Sequence, residues 1–252
     1  MIDSVERALD TLNLFLQDDS GEMSITAVGK ALGVPKSTAF RTLKSLEEKH
    51  FVQRNDDNNK YRLGIQVYLL GMKFRAQEPI TTVLYPYAKR LSDEFNEVVH
   101  IHALAADSID YPELVMLEKI ESPQVLNLLP AIGSMAPCHC SASGKCLLAF
   151  SPREYLDRFI GKPLPAFTKN TITDWDVLLK DLATIREQGY SLDHEEREVG
   201  LTCIAAPIFN QRGKLVATVS IAGPIARIYG EKTTAIIQEV KRTAQQISAV
   251  LP

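Results

Sequence analysis

Along the first quarter of the chain, apolar positions repeat at helical spacing and break at defined points. Val5, Ala8, Leu9, Leu12 and Phe15 form one stripe, which predicts an opening helix closed before Asp18-Asp19-Ser20-Gly21. Ile25, Val28, Ala31 and Leu32 predict a second, shorter helix. Gly33 supplies the positive φ at which a helix can stop, and Pro35 suits a first helical turn, where no amide hydrogen is needed. The chain must therefore turn sharply at Gly33-Val34-Pro35. In the third helix Ala39, Leu43 and Leu46 face inward, leaving Lys36, Ser37, Thr38, Phe40, Arg41 and Lys44 outward. Next, Phe51-Val52-Gln53-Arg54 and Lys60-Tyr61-Arg62-Leu63 alternate apolar with polar around Asn55-Asp56-Asp57-Asn58-Asn59, the pattern of a hairpin. Lys60 and Arg62 should share one face of its return strand. From Ser24 to Gly64 the pattern is that of a winged helix-turn-helix, whose third helix offers hydrogen-bond donors and positive charge to a major groove and whose wing meets phosphates.

Ile65, Tyr68, Leu69 and Met72 predict a further helix ending before Glu78-Pro79, because the residue before a proline is steered away from helical angles. Three segments result: residues 1–64 as the DNA-binding domain, 65–78 as a linker helix and 79–252 as a second domain. The linker's apolar stripe either packs on its own domain or is buried against a symmetry mate. In the second domain Leu84, Tyr87, Ala88, Leu91 and Phe95 predict a helix, and Val98 to Leu104 a strand with His100 and His102 on its polar face. Leu114 to Lys119 and Val125 to Leu129 read as strands, and Ser151-Pro152-Arg153-Glu154 as a capping box opening a helix. Leu178, Leu179, Leu182 and Ile185 line a helix that stops at Gly189. Cys203 to Phe209, a turn over Asn210 to Gly213, and Leu215 to Ile221 form a hairpin, and Ile236, Val240, Ala244, Ile247 and Leu251 line a closing helix. Without a regular βαβ rhythm, this order predicts an α+β fold, a sheet with helices on its faces.

Charge sharpens the division. Residues 25–64 carry eight bases and four acids, a net +4, so the rest of a chain at −3 carries −7. A basic nucleic-acid-binding module joined to an acidic companion fits this asymmetry. The 252 residues, 45% of them hydrophobic, suffice for two cores. No apolar run approaches the roughly 18 residues that span a bilayer, which predicts a cytoplasmic protein without a membrane partner. Three of four cysteines, Cys138, Cys140 and Cys146, cluster within nine positions, with Cys203 apart, which argues for reduced thiols rather than a disulfide framework.

Candidate chemistry concentrates where small residues mix with polar ones: Gly133 to Lys145, Asp193 to Cys203, and Ser220 to Pro224. The first reads as a loop entering a helix at about Ser141, where amides and dipole favour an anion. Leu128, Ala136, Leu201 and the Cys203 thiol would wall a small pocket, with Asp193 and Ser220 as its polar groups. Cys138-His139-Cys140 could ligate a metal, but alternate residues of a strand-like segment diverge and no CxxC or HxxxH pair accompanies them, so no metal site is expected. A cysteine nucleophile with His139 or His194 as base would make an enzyme, yet no orienting third group is legible, so none is expected, nor any cofactor.

Ser4-Val5-Glu6-Arg7-Ala8-Leu9, Gly33-Val34-Pro35-Lys36-Ser37-Thr38, Tyr61-Arg62-Leu63-Gly64, Gly144-Lys145, Cys203-Ile204-Ala205-Ala206-Pro207-Ile208-Phe209 and Gly223-Pro224 occur in this order, and with them the whole chain resembles the IclR family of bacterial transcriptional regulators. The resemblance implies a winged helix-turn-helix, a linker helix, a GAF-like mixed α/β effector-binding domain, and homodimers or dimers of dimers on operator DNA. It implies a small-molecule effector, often an organic acid or aromatic compound, touching Leu128, Ala136, Ala142, Ser143, Asp193, Leu201, Cys203, Ser220 and Ala222. Two positions depart from the family pattern: Ala222 stands where serine is usual, and Ser143 where a small apolar residue is frequent. Phe40 replaces a frequently polar residue on the outer helix face, a candidate either for contact with a thymine methyl or for no more than packing on the DNA backbone. The alternatives are a cysteine-dependent enzyme with an assembly domain, and a DNA-binding protein whose second domain only oligomerises.

Overall fold

The apolar stripes predicted near the N-terminus meet only in part in one core, where Phe15, Val28, Ala39, Leu43, Leu46, Val52 and Tyr61 are buried together, while Val5 and Leu9 of the first stripe and Ala31 of the second are exposed. They are carried by α1 (Asp3–Gln17), α2 (Ile25–Ala31), α3 (Lys36–Glu48), β1 (Val52–Arg54) and β2 (Tyr61–Leu63). The structure, a computed structural model, describes residues 2–17, 20–77, 80, 83–105, 108–123 and 130–252, and divides into two compact units, residues 1–78 and 79–252. Asp18, Asp19, Glu78 and Pro79, expected at helix ends, lie outside the described residues, as does the expected strand Val125–Leu129.

In the first unit Ser24 caps α2 by accepting from the Ala27 amide at 3.1 Å, and Gly33, at φ +64°, makes the turn into α3. β1 and β2 pair antiparallel, Val52 opposite Leu63, and Met23 bridges Tyr61 to widen the wing. The wing tip is held from below: the Glu22 carboxylate accepts from Asn55 Nδ2 at 2.8 Å and Asn58 Nδ2 at 2.7 Å. Lys60 lies just before the return strand rather than within it. The next helix, α4 (Ile65–Gln77), has no buried residue in this unit; Ile65, Tyr68, Leu69, Leu70, Met72 and Phe74 are all exposed.

The second unit is built on a six-stranded antiparallel sheet in the order β5-β4-β3-β8-β7-β6. Its strands are β3 (Val98–Leu104), β4 (Glu113–Ile120), β5 (Met135–Pro137), β6 (Ser191–Leu192), β7 (Leu201–Phe209) and β8 (Leu215–Pro224). One face carries Val99, Ile101, Ile204, Ile208, Val219 and Ile221, which pack against α5 (Tyr85–Phe95) and the closing helix α10 (Thr233–Val250). The other face is covered by α6 (Ala142–Ala149), with α7 (Arg153–Asp157) and α8 (Trp175–Gln188) outside it. A one-turn helix, α9 (Ile225–Ile228), follows β8. Neither β6 nor α9 is legible in the sequence, since two and four residues are too few to show a period.

Three expectations need correction. Cys138–Cys140 is a 3₁₀ turn leading into α6, because Ser141 must cap that helix through the Gly144 amide at 3.1 Å. The box at Ser151 does not form: its hydroxyl donates back to Leu147 O at 2.7 Å, so α7 opens behind Pro152 without a side-chain cap. His100 and His102 are buried rather than solvated, because α6 covers the face on which they stand.

The 3₁₀ turn lies so close to α6 that a Cβ on Gly144 would sit 2.2 Å from Cys138 O and 2.3 Å from its Cα, both backbone atoms. Gly144→Ala should therefore cost at least ~2 kcal/mol in urea denaturation, as forced overpacking does. Gly71→Ala, in α4 with nothing within 4 Å, should instead be neutral or stabilising. Equal effects from the two substitutions would refute the close-packing account.

Candidate functional site

Two surfaces carry the predicted site residues, one in each unit. On α3, the buried stripe of Ala39, Leu43 and Leu46 forces Lys36, Ser37, Phe40, Arg41 and Lys44 to the exposed side, with Thr38 half-buried beside them. Phe40 is 44% exposed, an apolar ring held out toward solvent. No side chain caps the start of α3, where Pro35 precedes Lys36 and the Thr38 and Ala39 amides donate to Pro35 O at 2.9 and 3.1 Å. Lys44 pairs with Glu47 at 3.0 Å, an exposed contact of little energetic weight. Arg62 is exposed on β2 and Lys60 is half-buried ahead of it.

In the second unit the sheet register aligns most of the remaining candidates. Cys203 stands opposite Ala222, and Ala205 opposite Ser220, on the face covered by α6. Leu201 shares that face at the start of β7, opposite Pro224. Ala142 packs with Ala205 and Cys203, and Ser143 Oγ lies 3.1 Å from His102 Nδ1. Asp193 follows β6 and is tied to β7 by its amide, which donates to Cys203 O at 2.9 Å. Ala136 is not part of this group. It packs with Leu114 and Cys138 on β5, with β4 and β3 lying between it and β8. Leu128 lies outside the described residues.

The loop from Asp193 to Gly200 is held at several points. Asp193 Oδ1 accepts from the Glu196 amide at 2.8 Å, and Glu195 Oε1 from the Gly200 amide at 2.6 Å. Thr168 and Thr171 donate to the carbonyls of Glu195 and Glu196 at 2.7 and 2.6 Å. Behind it lies a feature that the sequence reading missed: Lys145, 2% exposed, donates to Glu196 Oε1 at 2.6 Å and lies 3.0 Å from Asp181 Oδ2. Gly144-Lys145 and Glu195-Glu196 were visible as motifs, but the third partner sits a helix away in sequence. Burial alone would lower the Lys145 pKa; the two carboxylates outweigh it and raise it. Burial pushes Asp193 up to about 7, with the Glu196 charge adding to the shift and the Glu196 amide opposing it.

Burial also raises all four thiols, Cys140 to about 11. They are therefore protonated at neutral pH, the unreactive form. Neither candidate base stands against one: His139 Nε2 is 2.8 Å from Pro165 O, and His194 Nδ1 is 2.7 Å from the Tyr229 hydroxyl. Among the described residues no group of three or more His, Cys, Asp or Glu side chains could hold a metal ion, and no helix is long and apolar enough to cross a membrane.

Comparison with known proteins covers both units. Residues 4–56 match the IclR helix-turn-helix domain, and residues 73–249 the bacterial transcriptional regulator IclR C-terminal domain. The HTH-type transcriptional repressor AllR of Escherichia coli K12 is 31% identical over 249 residues, 98% of this chain and 90% of that protein. An IclR transcriptional regulator from Alicyclobacillus acidocaldarius superposes with a TM-score of 0.85 at 25% identity, covering 99% of this chain and 98% of that one. An IclR homologue from Microbacterium hydrocarbonoxydans, crystallised with 4-hydroxybenzoate, superposes with a TM-score of 0.78 at 25% identity, over 98% of this chain and 96% of that one.

The raised Asp193 pKa sets a pH dependence. A carboxyl with a folded pKa near 7 holds a proton that the unfolded chain has already lost, so its contribution is full below pH 4 and vanishes as pH rises through 7. Measured by urea denaturation, the stability of the wild type relative to Asp193→Asn should fall by up to about 1.4 kcal/mol per pH unit between pH 5 and 7, then level off. A difference independent of pH would show that Asp193 is ionised throughout.

Proposed function

Because the chain belongs to the IclR family of bacterial transcriptional regulators, we propose that residues 1–64 read operator DNA, that residues 65–78 link, and that residues 79–252 bind a small acidic or carbonyl-bearing effector. The observation that carries the DNA reading is the outer face of α3, where Lys36, Ser37, Phe40, Arg41 and Lys44 stand together on a helix of major-groove dimensions. Arg41 and Lys36 anchor; Ser37, Thr38 and Phe40 add readout; Lys60 and Arg62 meet the backbone.

For the effector, support comes from the convergence of Ala142, Ser143, Leu201, Cys203, Ser220 and Ala222 beside Asp193 on one covered face of the sheet. Lys145 is consumed by its two carboxylates, so an acid there is met by hydroxyls and amides rather than by a free cation. The 4-hydroxybenzoate in the Microbacterium homologue supports an organic acid as the ligand class. Thiols held protonated by burial, with Cys140 bonded to Pro137 O and Arg197 and to no candidate base, favour a regulator over a cysteine enzyme. We place the protein in the cytoplasm and in homodimers or dimers of dimers. The exposed apolar side chains of α4 would leave water against a second copy, and paired reading heads suit a two-fold operator.

Arg41→Ala, assayed on a duplex selected from a random library by the wild type, should weaken binding by ~1–3 kcal/mol at physiological salt. Unchanged affinity would take that face of α3 off the DNA. In thermal-shift titrations with 4-hydroxybenzoate and a panel of short organic acids, any stabilisation of the wild type should shrink in Asp193→Ala and Ser220→Ala. Equal shifts in all three proteins would remove those residues from the site.

A further inference from the structure

Beyond Ser220 the covered face of the sheet stays polar. In the β3–β8 ladder His100 stands opposite Ser220, and His102 opposite Thr218. All four are buried, at 4%, 1%, 7% and 0% exposure respectively. The opposite face uses Val99, Ile101, Val219 and Ile221 at the neighbouring positions, so polarity here is not demanded by the strands themselves.

His102 is satisfied on one side by Ser143 Oγ at 3.1 Å, and its ring meets that of His100 edge-on at 5.5 Å. His100 Nε2 and Thr218 Oγ1, in contrast, have no hydrogen-bond partner among the described residues. A buried polar atom left unpaired costs ~1–3 kcal/mol, and here two stand in adjacent rows of one sheet face, next to a candidate effector contact. Burial, with Lys119 and His102 nearby, holds His100 well below its ordinary pKa, and burial takes His102 down to about 4. Both imidazoles are neutral at physiological pH and offer hydrogen bonds without charge. A neutral imidazole and a hydroxyl suit a partner that both donates and accepts, which a carboxylate does not.

We propose that His100 and Thr218 form an inner half of the effector site, selecting effectors that carry a hydroxyl or carboxamide beyond their acid or carbonyl group. The inference rests on the effector reading above and assigns the distal end of the same ligand. Its test is isothermal titration of the full chain with matched pairs of acids: propionate against 3-hydroxypropionate and malonamate, butyrate against 4-hydroxybutyrate, and benzoate against 4-hydroxybenzoate. In at least one pair the hydroxylated or amidated member should bind the wild type about tenfold more tightly, as one hydrogen bond to a buried group provides. His100→Leu should bring that ratio close to one and His100→Gln should restore part of it. Thr218→Val, nearly isosteric, carries the test if His100→Leu does not fold, and should narrow the same ratio. No preference in the wild type, or one that survives in these variants, overturns the inference. If the acids bind without preference and Ser220→Ala weakens them, the effector reading stands and only the inner half falls; if no acid binds, both fall.

Discussion

The ammonium of Lys145 is the charge around which the second unit is arranged. Taking an ion of this kind from water costs several kcal/mol, and only well-placed opposite charges offset it. Glu196 and Asp181 supply them at 2.6 and 3.0 Å, which fixes the spacing of α6, the loop after β6 and α8 at once. Once Glu196 is committed to Lys145, its amide turns to Asp193, and Asp193 in turn is bonded through its own amide to Cys203. A single buried cation thus sets the distance between the helix over the sheet and the strand beneath it. Losing Glu196 or Lys145 would strand the other as a buried charge, whereas Asp181, a third exposed, still reaches water.

The elements legible in the sequence were those with enough residues to show a period. The stripes of α3 and α10, and the alternation of β4 and β7, needed only single-face burial to be read, whereas in α1 two of the five stripe positions, Val5 and Leu9, are exposed. The winged helix-turn-helix was legible almost residue by residue, because Gly33 and Pro35 punctuate it and the hairpin tip is rich in amides. The candidate site was legible only in part. Cys203, Ser220 and Ala222 come together through strand register, which a two-residue period conveys, and Ser141 announces the start of α6. The Lys145 triad could not be read, since it joins residues from two helices and a loop that no local pattern connects. His100 and His102 misled for a related reason: alternation tells which residues share a face, not whether that face meets water or a second layer.

Ser143 shows what the departures from the family pattern mean physically. Its hydroxyl lies 3.1 Å from His102 Nδ1, so the hydroxyl gained at this position is part of an interior pairing. Ala222, opposite Cys203, leaves the other end of the same strip less polar. One hydroxyl is thus absent from β8 and another present on the helix that covers the sheet.

α4 has thirteen residues and none is buried in its own unit. A peptide of that length is marginally helical in water, because the cost of nucleation is barely recovered over three or four turns. Under the proposal that a second copy covers its exposed apolar side chains, that association would supply the missing stability, and the helical order of α4 would rise with protein concentration.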